Sequence, residues 1–226
     1  MFLKSGAKDG GKGSCVSHWL GKRSPATSTL LYRSMPKANR GLRWAAIQYV
    51  FLDRDGVINR KLAEGKYVTR WEELELLPGV AAAIAALNRS GRKVIVVTNQ
   101  RGIALGRMTQ AAVEAIHDRL RGELARETAS FDAIFYCPHD RDMCQCRKPG
   151  IGMIEMAFRD FPEANPENSI LVGDSLSDIE CGRNAHMPAI FIESNEDEKD
   201  DGATAARALA DFSVHSLTDA VRLILE

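Results

Sequence analysis

No net charge is left when the 30 basic and 30 acidic residues of this 226-residue chain are summed. That absence argues against a nucleic-acid or membrane-surface protein, which carries a basic excess. No apolar run approaches the roughly 20 residues that cross a bilayer. The amino-terminal stretch has no secretory apolar core, so the expected compartment is the cytoplasm. Cysteine is scarce and unevenly placed, at Cys15, Cys137, Cys144, Cys146 and Cys181. That distribution is no secreted disulfide framework. Three thiols close together, with a histidine among them, read as a metal site in a reducing compartment.

Acidic residues are nearly missing from positions 1–43, where nine lysines and arginines face only Asp9. Glycine and serine are frequent there, and no apolar periodicity emerges. The segment is expected to be largely disordered. Its basic, acid-poor composition also resembles a transit peptide, and Met35 is an alternative initiator. Cys15 is then an idle thiol.

From residue 44 onward the pattern changes, and 44–226 is long enough for one domain with a real core. Positions 49–52 form an apolar run that reads as a buried strand. An irregular flap follows over 59–76. Pro78 and Gly79 open a helix with Val80, Ile84 and Leu87 at helical spacing, which Gly91 ends. The β-branched run 93–97 is the second strand. Thr109 caps a helix over 110–126, and 131–136, 169–173 and 189–192 are further strands. Helices are expected over 152–161, 179–186 and 216–225, and 195–201 reads as a solvated acidic loop. Strands alternating with helices predict an α/β fold, a Rossmann-like parallel sheet with helices on both faces.

The first strand ends in Asp53-Arg54-Asp55-Gly56. Open α/β sheets bind ligands at the carboxyl ends of their strands. There one carboxylate can attack phosphorus, and the second can handle the proton of the leaving oxygen. A divalent cation would neutralise the gathered charge. An acidic turn or a Ca2+ loop explains the pair alone equally well. Other strand ends carry Thr98, Lys148, Asp174 and Asp178 in or just beyond them. That convergence favours catalysis, although Thr98 or Lys148 alone is unremarkable.

Downstream, Cys137, His139, Cys144 and Cys146 offer four ligands on short spacers, a set suited to tetrahedral Zn2+. With every position filled by protein, that zinc is expected to be structural. A Cys144–Cys146 disulfide is geometrically poor, and Pro138, Asp140, Arg141 and Asp142 mark a surface loop rather than a set of buried thiols. Cys181 and His186 read as ordinary helix residues near the sheet.

In this order, Asp53-Arg54-Asp55-Gly56, Val97-Thr98-Asn99-Gln100, Arg147-Lys148-Pro149 and Gly173-Asp174-Ser175-Leu176-Ser177-Asp178 resemble the haloacid-dehalogenase superfamily of phosphatases over about 48–192. The resemblance implies Asp53 as nucleophile and Asp55 as acid and base. It implies Mg2+ held by Asp53, Asp174 and the carbonyl of Asp55. Thr98 and Lys148 would hold the phosphoryl oxygens, with Asp178 orienting Lys148 or supporting the metal. The zinc loop before Arg147 narrows the resemblance to D-glycero-D-manno-heptose 1,7-bisphosphate phosphatases, with histidinol-phosphate phosphatases as relatives. That implies a phosphorylated sugar as substrate, Arg147 on its second phosphate, and Asn99, Gln100 and Arg101 lining the pocket. Two features depart from the family pattern: a short spacer from His139 to Cys144, and Ser175 where a basic residue often stands. The gaps between motifs leave no room for a cap domain, so the site should be open. The remaining expectations are a monomer that binds neither nucleic acid nor membrane. The alternative of another class is a zinc-stabilised binding module without catalysis.

Overall fold

The computed structural model describes residues 16–17, 43–193 and 201–226 of the chain. Cys15 and most of the acidic loop lie outside the described residues. Among the described residues, seven strands form one sheet: β1 (Val16–Ser17), β2 (Tyr49–Leu52), β3 (Lys93–Asn99), β4 (Ala133–Cys137), β5 (Ser169–Gly173), β6 (Ala189–Ile192) and β7 (Phe212–Val214). Their order is β1-β4-β3-β2-β5-β6-β7. All pairs are parallel except β1 with β4, where Val16 lies opposite Tyr136. This antiparallel edge pair lies in the stretch that composition marks as disordered. Apart from Arg43, the other residues of that stretch lie outside the described residues.

Strand β2 shows why the middle of the sheet reads as unbroken apolar sequence. Its alternate residues point to opposite faces, and both faces are covered. Val50 and Leu52 pack with helices α1 (Val80–Arg89), α2 (Gln110–Ala125) and α6 (Leu217–Leu225). Tyr49 and Phe51 pack with α3 (Gly152–Asp160) and with Cys181 of α4 (Leu176–Asn184). Helix α5 (Asp201–Leu209) lays Ala203 and Ala206 against Ile179 of α4.

The predicted caps are present. The Thr109 side chain accepts from the Ala112 amide at 3.1 Å, and Gly91 takes the left-handed conformation just past α1. Helix α4 begins at Leu176 rather than Ile179, because Ser175 and Asp178 hydrogen-bond around its first turn. Helix α5 and strand β7 were not anticipated. Ala-rich α5 has no wide apolar stripe, and β7 has only three residues. Among the described residues no helix is long and apolar enough to cross a membrane.

Strand order places the site. From β2 the chain winds outward through β3 and β4, then returns to β5 on the other side and winds outward through β6 and β7. The reversal leaves a crevice beyond the carboxyl ends of β2 and β5. The connections from β2 to β3 and from β4 to α3 hold only a flap, short helices and the cysteine loop, so no cap is inserted over the crevice among the described residues.

Candidate active site

Asp53 leaves β2 with its amide bonded to the Val172 carbonyl of β5 at 3.0 Å. Asp174 follows the last residue of β5, and Thr98 lies near the end of β3. These residues open into a cleft of about 410 Å3, which the flap residues Lys61 to Val68 also line. Gly56, at a φ of 97°, makes the turn after the paired acids. A Cβ there would fall 2.2 Å from Asp174 Oδ2, so the close approach requires glycine.

Lys148 reaches the same point from the far side of the cysteine loop. Its Nζ lies 2.6 Å from Asp53 Oδ1 and 2.5 Å from Asp178 Oδ1, and it donates to the Val97 carbonyl at 2.8 Å. Burial opposes the Lys148 charge, but Asp178 and Asp53 outweigh it and hold the ammonium well above its usual range. Burial, with Asp178 and Asp55 nearby, pushes Asp53 up to about 6 despite Lys148. Burial, with Asp53 and Asp178, pushes Asp174 up to about 7 despite the Lys61 ammonium 2.6 Å away. Asp55 differs. Burial alone would raise it, yet Arg54, Asn59 and Gln100 bring it below the usual carboxylate range.

Asp53, Asp174 and Asp178 offer oxygens that all lie within 4.8 Å of one another. Asp174 Oδ1 is buried and has no hydrogen-bond partner among the described residues. A crowded, oxygen-only donor set with an unsatisfied carboxylate oxygen fits Mg2+. Asp178 pairs with Lys148 here, consistent with the orienting role expected of it.

The cysteine loop brings its four candidate ligand atoms within 4.8 Å of one another. Cys137 Sγ lies 3.5 Å from the sulfurs of Cys144 and Cys146, which are 3.3 Å from each other, too far apart for a bond between them. His139 turns Nδ1 toward Cys137 at 3.6 Å and Cys146 at 3.3 Å. Tetrahedral sulfur ligands at about 2.3 Å from zinc lie roughly 3.7 Å from one another, so these spacings fit the ion. Burial pushes the Cys137 thiol up to about 12; a bound cation favours the thiolate instead.

The residues expected to line the pocket do so, but most of their polar atoms are engaged. Asn99 holds the Lys148 backbone, accepting from its amide at 3.0 Å and donating to its carbonyl at 3.2 Å. Gln100 Nε2 donates to Thr98 Oγ1 at 2.9 Å and Asp55 Oδ2 at 3.2 Å. Arg101 bonds Asp140 of the cysteine loop at 2.5 Å. Arg147 contrasts with these: it faces the cleft, and its NH1 has no partner among the described residues. Sequence reasoning missed Lys61, and the basic pair Arg60-Lys61 just after the first motif was the available signal.

A family model described as HAD-hydrolase-like matches residues 145–220. A D-glycero-alpha-D-manno-heptose-1,7-bisphosphate 7-phosphatase of Mycobacterium bovis is 40% identical over 169 residues, covering 74% of this chain and 86% of that protein. The chain belongs to this phosphatase family. A D-glycero-beta-D-manno-heptose-1,7-bisphosphate 7-phosphatase of Salmonella typhi is 33% identical, covering 77% of this chain and 93% of that protein. The crystal structure of a D,D-heptose 1,7-bisphosphate phosphatase from B. bronchiseptica, complexed with magnesium and phosphate, matches with a TM-score of 0.69 and 30% identity. That match covers 79% of this chain and 98% of the other.

Proposed function

We propose that the protein removes the 7-phosphate of D-glycero-D-manno-heptose 1,7-bisphosphate, leaving the 1-phosphate. The observation that carries this reading is the meeting of Asp53, Asp55, Thr98, Lys148 and Asp174 at the sheet's switch point. Asp53 attacks phosphorus as the bond to the sugar oxygen breaks, and Asp55 gives that oxygen its proton. Water then attacks the aspartyl phosphate and loses a proton to Asp55, releasing phosphate and restoring Asp53. A phosphate dianion beside Asp55 opposes its charge and favours the protonated form needed for the first step. Lys148 and Thr98 hold the phosphoryl oxygens. Mg2+, held by Asp53, Asp174 and the Asp55 carbonyl, would supply charge neutralisation. The Arg147 guanidinium, whose NH1 has no partner among the described residues, suits the second phosphate, and guanidinium can grip phosphate with two bonds.

We place residues 44–226 in one domain, acting as a monomer in the cytoplasm. Asp53→Asn should abolish phosphate release from either anomer of the bisphosphate while the far-ultraviolet spectrum stays unchanged, because the amide cannot attack phosphorus. Near-normal release by that folded variant would end the nucleophile assignment. Faster turnover of histidinol phosphate by the native protein would end the sugar assignment but not the chemistry.

A further inference from the structure

Arg54, the residue between the two catalytic acids, is a fully buried cation with a side chain only 1% exposed. It is spent on one carboxylate. Its NH2 donates to Asp55 Oδ1 at 2.9 Å and Oδ2 at 2.8 Å, and its Nε lies 3.3 Å from Oδ1. Its other end reaches away from the cleft, where NH1 lies 3.2 Å from Nε2 of His117. Guanidinium only donates, so Nε2 must accept, and the ring is neutral with its proton on Nδ1. His117 is buried on the inward face of α2, between Val113 and Leu120, with its ring in an edge contact with that of Tyr136, centroids 5.7 Å apart. It is not part of the cleft wall. Its place on an apolar helix face matches an ordinary core residue, and sequence alone gives it no role.

We infer that His117 is a positioning residue for the reaction: through Arg54 it fixes the orientation in which Asp55 transfers protons. A guanidinium is a rigid planar fork, so fixing one nitrogen fixes the plane of the others. Asn59 and Gln100 each give Asp55 one further donor, at 2.9 and 3.2 Å, but neither sets the angle of the Arg54 fork. Without an acceptor at position 117, NH1 would be buried and unsatisfied, and Arg54 would turn to satisfy it. The Asp55 carboxylate would turn with it. A misplacement of about 1 Å can cost on the order of 100-fold in rate. Substrate affinity should hardly change, because phosphate binding belongs to Lys148, Thr98 and Arg147.

The inference rests on Asp55 being the acid and base of the proposed reaction, and the test separates the two. Steady-state kinetics on the heptose bisphosphate are compared for the native protein and five variants. Asp55→Asn should be inactive. His117→Leu should lower kcat by about 10- to 100-fold with KM within about twofold. His117→Gln, whose amide oxygen can accept from Arg54, should recover kcat to within about threefold of native. Should Leu prevent folding, His117→Thr replaces it, being too short to reach Arg54. Arg54→Met should lower kcat as His117→Leu does, and the double variant Arg54→Met/His117→Leu should be no slower than Arg54→Met alone, because His117 acts only through Arg54. Additive losses, equal losses for Gln and Leu, or an unchanged kcat for folded His117→Leu would overturn the positioning role and leave the phosphatase reading standing. An active Asp55→Asn would overturn both.

Discussion

Arg147 differs from its neighbours in having a donor to spare. Asn99, Gln100 and Arg101 carry the same polarity into the cleft, but contacts to Lys148, Asp55, Thr98 and Asp140 occupy most of it. The buried NH1 of Arg147 has no such engagement among the described residues. Arg147→Ala should therefore lower kcat/KM for the heptose bisphosphate by about 10- to 150-fold, matching the loss of a charged hydrogen bond of roughly 1.5–3 kcal/mol. Hydrolysis of 4-nitrophenyl phosphate, which has no second phosphate, should change less than about threefold on the same ground. Equal losses on both substrates would assign Arg147 to the reacting phosphate. Composition around positions 98–101 revealed a polar wall. Which of its side chains were already committed depended on distances that a linear pattern does not contain.

Among the elements, the cysteine loop transmits the most. It leaves β4 at Cys137, closes on four ligands and delivers Arg147 and Lys148 to the cleft. Gly150 lies so close under Gln145 that a Cβ would sit 2.4 Å from its carbonyl oxygen, so the exit from the loop is a tight turn. A structural zinc contributes folding energy to the segment it closes. Elemental analysis should find about one zinc per chain, by the four-ligand rule. Cys144→Ser should lower both the melting temperature and kcat, because Lys148 then loses its fixed approach to Asp53. A zinc-free native protein purified from zinc-replete medium would remove the ion from this loop. The candidate ligand residues and their spacing were legible in the sequence, as was the strand leading into them. Helix α5 and strand β7 were not, because their stability comes from packing against α4 and β6 rather than from their own pattern.

At the scale of the whole molecule, the site exists because the sheet reverses its winding between β2 and β5. Nothing inserted between the motifs covers it, so discrimination falls to fixed groups on the walls. The antiparallel β1 adds only Val16 and Ser17 to the edge beside β4. Deleting residues 1–43 should leave kcat within about twofold, since the proposed catalytic groups lie at the centre of the sheet. One or two edge hydrogen bonds are worth about 0.5–1.5 kcal/mol each. At about 2–4 °C per kcal/mol for a chain of this size, the melting temperature should fall by no more than about 12 °C. A larger fall, or loss of activity, would show that the amino-terminal segment contributes to the core.

The sequence by itself determined the parallel α/β class, the paired acids after β2, the clustered Cys and His of the candidate zinc loop and the order of the motifs. Each of these follows from local periodicity or from residues a few positions apart. Only the tertiary structure decided that β2 lies between β3 and β5, that Lys148 reaches Asp53 across 95 positions of sequence, and that Lys61 pairs with Asp174. It alone placed His117 behind Arg54, 63 positions away. The physical reason is common to these cases. A buried cation or an orphaned donor takes whatever acceptor the folded chain brings within about 3 Å, and sequence spacing does not record which one that is.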